Sequence, residues 1–235
     1  MFTKSAAFYD ALYHFVDYPA AVAQLDELVQ RHVPGAATLL DVGCGTGRHL
    51  QEFQRSYDVV GLDLDGQLLE VARQRCPGVP FHEASMVDFE LERRFDVVTC
   101  LFSAIGYVQT VEDMRRSVAT MARHLNPGGL LVVEPWFEPD RYWTDTVTAN
   151  HADQPDLKIC WMYTSKREGD VSVLDIHYLV GTPERVEHLV EEHRIGLFTR
   201  EQMTAAMTDV GLSVEHDPVS PFNRGLYVGR APSNA

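Results

Sequence analysis

An apolar run that breaks into glycines at alternate positions limits what this chain can fold into more than any other stretch. Residues 38–49 read Thr-Leu-Leu-Asp-Val-Gly-Cys-Gly-Thr-Gly-Arg-His. The apolar part has the pattern of a buried strand, and Gly43, Gly45 and Gly47 mark a turn that opens a helix. Glycine suits the turn because the backbone bends sharply there and a ligand lies against it with no side chain between. The first N–H groups of the helix favour a polar or anionic ligand group. A dinucleotide fingerprint, G-x-G-x-x-G, fails at its sixth position: counted from Gly43 it is Arg48, which turns the reading away from NAD and FAD. About twenty residues on, Val59-Val-Gly-Leu-Asp63 is a second apolar run ending in an acid, placed to accept both hydroxyls of a ribose.

The rest of the chain supplies the elements for an open sheet. Pro19 to His32 carries Val22, Leu25, Leu28 and Val29 at helical spacing. Gln67–Arg75 reads as a helix with Leu68, Leu69 and Ala72 inward, ended by Cys76-Pro77-Gly78. Residues 79–85 hold a short strand, and Phe95 to Phe102 is a nearly continuous apolar strand of the kind a parallel sheet needs. Val111, Met114, Val118, Met121 and Leu125 form a helical face stopped by Asn126-Pro-Gly-Gly129, with His124 in the last turn as a cation suited to the helix dipole. Leu130 to Pro135 follows as a fifth strand, and strands alternating with helices predict a doubly wound α/β sheet.

The pattern changes between Phe137 and Phe198. Three runs with partial alternation, Leu157–Lys166, Val171–Val180 and Arg185–Leu197, predict an antiparallel insert with hairpin turns at 167–170 and 181–183. This insert is expected to cover the ligand pocket or to pair with another subunit. Thr199–Val210 returns to helix with Thr199 as N-cap and Gly211 closing it. Leu212–His216 and Leu226–Arg230 complete a seven-stranded sheet. The division is therefore residues 1–136 with 199–235 as core, and 137–198 as insertion.

A formal net charge of −14 argues against a nucleic-acid surface, because phosphate binding is driven by Lys and Arg. No apolar run approaches the about 20 residues that span a bilayer, and the first residues lack a signal-peptide core, so a cytoplasmic enzyme without membrane contact is expected. Cys44, Cys76, Cys100 and Cys160 are scattered, which disfavours zinc and disulfide frameworks. His188 and His193, five apart in a predicted strand, do not have the spacing of a helical metal motif, and no metal is expected.

The form D-x-G-x-G-x-G resembles motif I of class I S-adenosylmethionine (SAM) methyltransferases, whose fold is a Rossmann-like seven-stranded sheet. The chain as a whole resembles the N,N-dimethyltransferases of nucleotide-linked amino sugars, those of the desosamine and mycaminose pathways. The resemblance is strongest at Leu39–Leu50, Phe102–Tyr107, Asn126–Trp136, Arg194–Gln202 and Arg224-Gly225-Leu226. It implies SAM as cofactor, S-adenosylhomocysteine as product, and a small-molecule amine as acceptor, in antibiotic biosynthesis. It also implies that Gly43 and Gly45 approach SAM, that Asp63 holds the ribose and that Met86 with Leu101 flanks the adenine. Asp41, Leu64 and Phe102 complete the expected cofactor set.

Ser85 stands where the family places an acid for the adenine amino group. Tyr9 and Tyr13, in an aromatic stretch near the N-terminus, serve either as core aromatics or as a lid whose hydroxyls reach the SAM carboxylate. Tyr107 matches a position beside the reacting amine, filled by Tyr or His in the family. Trp136, followed by Phe137, stands for a tryptophan pair, and an N-terminal active-site tyrosine has Met1 and Phe2 nearest to it. A nucleotide diphosphate needs a cation, for which Arg224 is best placed; Lys166 and Arg167 read as surface charge. The competing readings are an O- or C-methyltransferase of another natural product and a SAM-binding protein without catalysis. A homodimer fits either enzyme reading.

Methyl transfer from a sulfonium asks the protein to align an amine lone pair and exclude water. The amine also has to lose a proton, and the Tyr107 hydroxyl is the expected acceptor nearby.

Overall fold

The computed structural model describes residues 5–222 and 224–233. Met1 and Phe2, set against the family's N-terminal tyrosine, lie outside the described residues. A 3-10 turn at Ala6–Phe8 leads into α1 (Tyr9–Leu12) and α2 (Tyr18–His32). Then come β1 (Thr38–Val42), α3 (Arg48–Phe53), β2 (Asp58–Asp63), α4 (Gly66–Arg75), β3 (Phe81–Glu83) and β4 (Phe95–Cys100). A 3-10 turn at Ala104–Val108, α5 (Val111–Arg123) and β5 (Leu125–Val133) close the first half. The insert is β6 (Thr146–Gln154), β7 (Leu157–Glu168), β8 (Val171–Gly181) and β9 (Val186–Gly196). The chain ends with α6 (Arg200–Thr208), β10 (Ser213–Asp217) and β11 (Leu226–Arg230).

Seven strands form one sheet in the order β3-β2-β1-β4-β5-β11-β10, and β6 to β9 form a separate four-stranded antiparallel sheet. β11 runs antiparallel to β5, and β10 antiparallel to β11. This is the doubly wound class I architecture with an appended insert. Period-two alternation builds its two cores. Leu39, Val59, Val97, Leu130 and Val132 face the α2 residues Val22, Leu25, Leu28 and Val29. Leu40, Val60, Val98, Leu131 and Val133 face Met114, Val118 and Met121 of α5 and Met203 and Met207 of α6. Each of these fully buried side chains stabilises the fold by about 1.5–3 kcal/mol.

The helices start where the sequence supplies caps. Asp17 accepts from Ala20 N–H at 3.0 Å and Asp65 from Gln67 N–H at 2.9 Å. Thr199 and Gln202 form a reciprocal capping box on α6.

Three expectations are corrected. Asn126-Pro-Gly-Gly129 does not separate helix from strand: β5 already begins at Leu125, and the four residues form a bulge between the pairs Phe95↔Leu125 and Val97↔Leu130. The insert has four strands, not three, because β6 precedes the runs that alternate. His124 is structural but not a cation at the helix end. It is buried, with Nδ1 2.8 Å from Thr120 O, and it accepts the Leu91 N–H on Nε2 at 3.0 Å, the hydrogen bonding of a neutral ring.

Among the described residues no helix is long and apolar enough to cross a membrane, and no group of three or more His, Cys, Asp or Glu is arranged to hold a metal ion.

Candidate active site

Strand order reverses between β1 and β4, and ligands of such sheets sit beyond the strands' carboxyl ends at that point. A cavity of about 650 Å³ opens there. Its walls include Tyr9, Tyr13, Gly43, Gly45, Asp63, Leu64, Ser85, Met86, Leu101, Phe102, Tyr107, Trp136 and Arg224, so thirteen of the fourteen residues expected at the site share one space. The exception is Asp41, which is buried behind the turn, accepts from Thr99 Oγ1 at 2.8 Å and borders a separate hollow of about 30 Å³.

The glycine turn is held from within. Four of its N–H groups are spent inside the protein: Gly43 and Cys44 donate to Leu62 O at 2.7 and 3.0 Å, Gly45 to Asp63 Oδ2 at 2.7 Å, and Gly47 to Cys44 O at 3.0 Å. Because α3 is only six residues long, its dipole is small as well. The turn therefore makes space rather than an anion nest. At Gly43, with φ of +75°, an added Cβ would come within 2.6 Å of the Ala104 Cβ, while at Gly45 it would meet no protein atom within 4 Å and would stand in the cavity.

Asp63 ends β2 beside this turn, and its other oxygen accepts Asp65 N–H at 2.9 Å. Burial raises its pKa, opposed by these two backbone donors. Each oxygen keeps a further lone pair for a ligand hydroxyl. Met86 lies against the turn, its Cε 3.6 Å from the Cβ position of Gly43. Ser85 turns its hydroxyl to its own chain, accepting Val87 N–H at 3.3 Å.

After β4 the backbone enters the left-handed region twice, at Phe102 (φ 51°) and Ser103 (φ 65°). Such positions persist only where neighbours hold them. Glu134 Oε2 accepts Phe102 N–H at 2.9 Å, Ser103 Oγ donates to Pro135 O at 2.7 Å, and Arg224 Nη1 donates to Ser103 Oγ at 2.9 Å. The Arg224 guanidinium also stacks over Trp136, 4.8 Å from the ring centroid, and over Phe102 at 5.5 Å. Burial pushes Glu134 up to about 7 against the pull of Arg224. Arg224 thus braces the turn, and its Nε keeps an unused donor among the described residues.

The strained turn aims Tyr107 at the insert. Gly106 makes this approach possible, since a Cβ there would come within 2.3 Å of Ile195 Cγ2 on β9. The Tyr107 hydroxyl lies 2.8 Å from His193 Nδ1, and Trp136 Nε1 donates to Ser172 Oγ at 3.0 Å. The inner face of the insert, including Trp161, Tyr163, Tyr178 and His193, closes the far wall of the cavity. His193 was not expected here, yet strand periodicity carries the signal: residues five apart on a strand face opposite ways, so His188 points outward to His177 while His193 points in.

Residues 39–129 match the family described as a methyltransferase domain. The dTDP-3-amino-3,6-dideoxy-alpha-D-glucopyranose N,N-dimethyltransferase of Streptomyces fradiae is 43% identical over 215 residues, covering 91% of this chain and 84% of that protein. The crystal structure of DesVI from Streptomyces venezuelae superposes with a TM-score of 0.93 at 37% identity, covering 98% of this chain and 99% of that one. The chain belongs to the sugar N,N-dimethyltransferase family of SAM-dependent enzymes. CalS10 of Micromonospora echinaspora, an amino pentose methyltransferase involved in calicheamicin biosynthesis and solved with SAM bound, superposes at a TM-score of 0.88 and 35% identity, covering 98% of this chain and 97% of that one.

The site of this SAM-dependent methyltransferase fits its cofactor on its own terms. The charged walls are Asp63, Asp65, Asp113 and Arg224, a balance that suits a cationic sulfonium. The gap above Gly45 gives room at the turn, and Asp63 supplies paired acceptors for two hydroxyls. Beside the cavity Tyr9 of α1 packs on Tyr13 at 4.8 Å, with Tyr13 edge-on to Phe102 at 5.0 Å. Burial pushes both hydroxyls above their ordinary values, so they act as neutral donors.

Proposed function

We propose that this enzyme methylates the amino group of a nucleotide-linked amino sugar, with Asp63, Met86, Leu101 and the 43–45 turn holding the cofactor and Tyr107 beside the acceptor nitrogen. When bound, SAM supplies an activated methyl group. The chain's own residues align the amine lone pair, shield it from water and take up its proton. The observation that carries this reading is one cavity lined by Asp63, by the aromatics Trp136, Trp161 and Tyr163, and by Tyr107. Neutral hydroxyls and acids suit an amine, which arrives carrying or shedding positive charge.

The diphosphate of the acceptor is assigned to Arg224, whose Nε has no partner among the described residues and which is the one lysine or arginine among the described lining residues. Arg167 is committed elsewhere, to Pro139 O at 2.7 Å and Asp170 at 3.0 Å. We assign residues 137–198 as the substrate cover and, through their outer face, as the contact of a homodimer. That face exposes Val147, Met162, Leu179, Val186 and Val190.

Incubating the enzyme with labelled SAM and a panel of dTDP-linked amino sugars, free amino sugars, phenols and carboxylates tests the assignment. Methyl transfer to the nucleotide-linked amines and weak transfer to the free sugars is the expected result. Transfer to phenols alone would move the reading to O-methylation.

A further inference from the structure

We propose that His193, oriented by Glu191, receives the proton that leaves the acceptor amine by way of the Tyr107 hydroxyl. The inference rests on the amine reading above and names a residue outside the expected site.

The geometry is a chain of three side chains leading away from the cavity. The Tyr107 hydroxyl lies 2.8 Å from His193 Nδ1, and His193 Nε2 lies 3.5 Å from Glu191 Oε2. Glu191 is fixed in turn by Ser5, whose N–H donates to Oε1 at 3.0 Å and whose hydroxyl donates to Oε2 at 2.5 Å. His193 and Glu191 are 2% and 5% exposed, so the charges they carry are matched within the protein. A carboxylate at Nε2 selects the ring form with its proton on Nε2 and leaves Nδ1 open to accept from Tyr107.

The proton inventory closes. As the amine nitrogen bonds to the methyl carbon, the methyl–sulfur bond breaks with its electron pair left on sulfur, one N–H bond breaks, and its proton forms an O–H bond on Tyr107. The original Tyr107 proton moves to Nδ1 of His193, and the imidazolium is paired with the Glu191 carboxylate. Nothing is oxidised or reduced. Burial drives the Tyr107 hydroxyl well above its ordinary value, so it passes a proton on rather than holding a negative charge. Burial lowers His193 while Glu191 opposes the shift, which keeps the ring neutral and ready at pH 7. Among the described residues the other titratable groups that act on Tyr107 are Tyr13 and Tyr178, with Asp63 in addition. Glu191 also acts on Tyr178, which burial holds protonated.

Two measurements test the relay. Nitrogen NMR of the histidine-labelled enzyme, free of cofactor, is expected to show His193 with Nε2 protonated and Nδ1 bare, and Glu191→Gln is expected to lower its titration midpoint. In kinetics with an amine that the parent methylates, His193→Asn keeps an acceptor near Tyr107 but no base. It is expected to lower kcat about 10²-fold with KM for the acceptor near the parental value. Glu191→Gln is expected to move the acid limb of the kcat profile to lower pH. A proton found on Nδ1, or a His193→Asn variant with parental kcat and an unmoved acid limb, would overturn the relay. A parent enzyme that methylates no amine overturns the amine reading and the relay together, whereas parental activity that survives in His193→Asn overturns the relay alone. If the variant fails to fold, the ring form of the parent still decides.

Discussion

At the scale of single residues, Asp63 has two tasks that compete for the same oxygens. It ties Gly45 and Asp65 N–H groups, which shapes the turn, and in the function proposed above it also offers lone pairs to the cofactor ribose. Asp63→Ala removes both, and each buried donor left unpaired costs about 1–3 kcal/mol. SAM affinity measured by calorimetry is expected to fall by about that amount, with a parallel loss of stability to urea. Unchanged affinity would remove Asp63 from the ribose. Tyr107→Phe deletes only the hydroxyl, so turnover is expected to drop while SAM affinity holds, and equal turnover would take Tyr107 out of the chemistry. Both positions were legible in the sequence, Asp63 as the end of an apolar strand and Tyr107 in the glycine-bearing turn that follows one. The clasp of Glu134 and Arg224 on the left-handed Phe102 and Ser103 was not, because backbone φ and a bond between residues 121 positions apart leave no local pattern.

Secondary elements show the same division between pattern and context. The parallel strands announced themselves by buried apolar runs. β6 did not, because Thr146–Gln154 is polar along most of its length and buries only Ala152. As an edge strand it is held by backbone pairing to β7, and an apolar period is not needed for that. Likewise Asn126-Pro-Gly-Gly129 is turn chemistry put to use as a bulge inside β5. The four-residue helix α1 is too short to stand alone and depends on its latch. Asp10 accepts from Thr46 Oγ1 at 2.9 Å, bonds Arg75, and lies 3.7 Å from Arg48 Nε. This ties α1, the segment that carries Tyr9 and leads into Tyr13 and that would serve as a lid in the proposed site, to the glycine turn. Asp10→Ala is expected to weaken SAM binding by about 0.5–1 kcal/mol and to speed amide exchange across residues 6–13. Exchange at the parental rate would mean that the lid is held by its aromatics alone.

Across the whole molecule, the two ends of the central sheet carry carboxylates in opposite states. At the amino end of β4, Asp96 takes hydrogen bonds from Ala37 and Thr38 N–H, the Thr38 hydroxyl and Asn126, which together outweigh its desolvation and hold its pKa below the usual value. At the carboxyl ends, where the cavity opens, burial pushes Asp41 and Glu134 each up to about 7. A carboxyl whose folded pKa lies above its unfolded value binds its proton more tightly when folded. Its contribution to stability is therefore complete below the unfolded pKa and is lost as pH rises through 7. For Asp41, with Thr99 as its sole hydrogen-bonding side chain among the described residues, replacement by Asn keeps an acceptor but cannot ionise. The stability gap in urea unfolding between Asp41→Asn and the parent should be smallest below about pH 4, where the carboxyl is protonated folded and unfolded, and should widen in favour of Asp41→Asn up to pH 8, where only the parent buries a charge. Three histidines lowered by burial, His49, His193 and His216, tilt the absolute curve the other way between acid pH and neutrality, and they cancel in the difference between the two proteins. A difference that stays flat from pH 5 to pH 8 would mean that water or a partner charge relieves Asp41. A growing one would identify a buried acid kept at the cofactor turn at the expense of stability, as sites shaped for function often do.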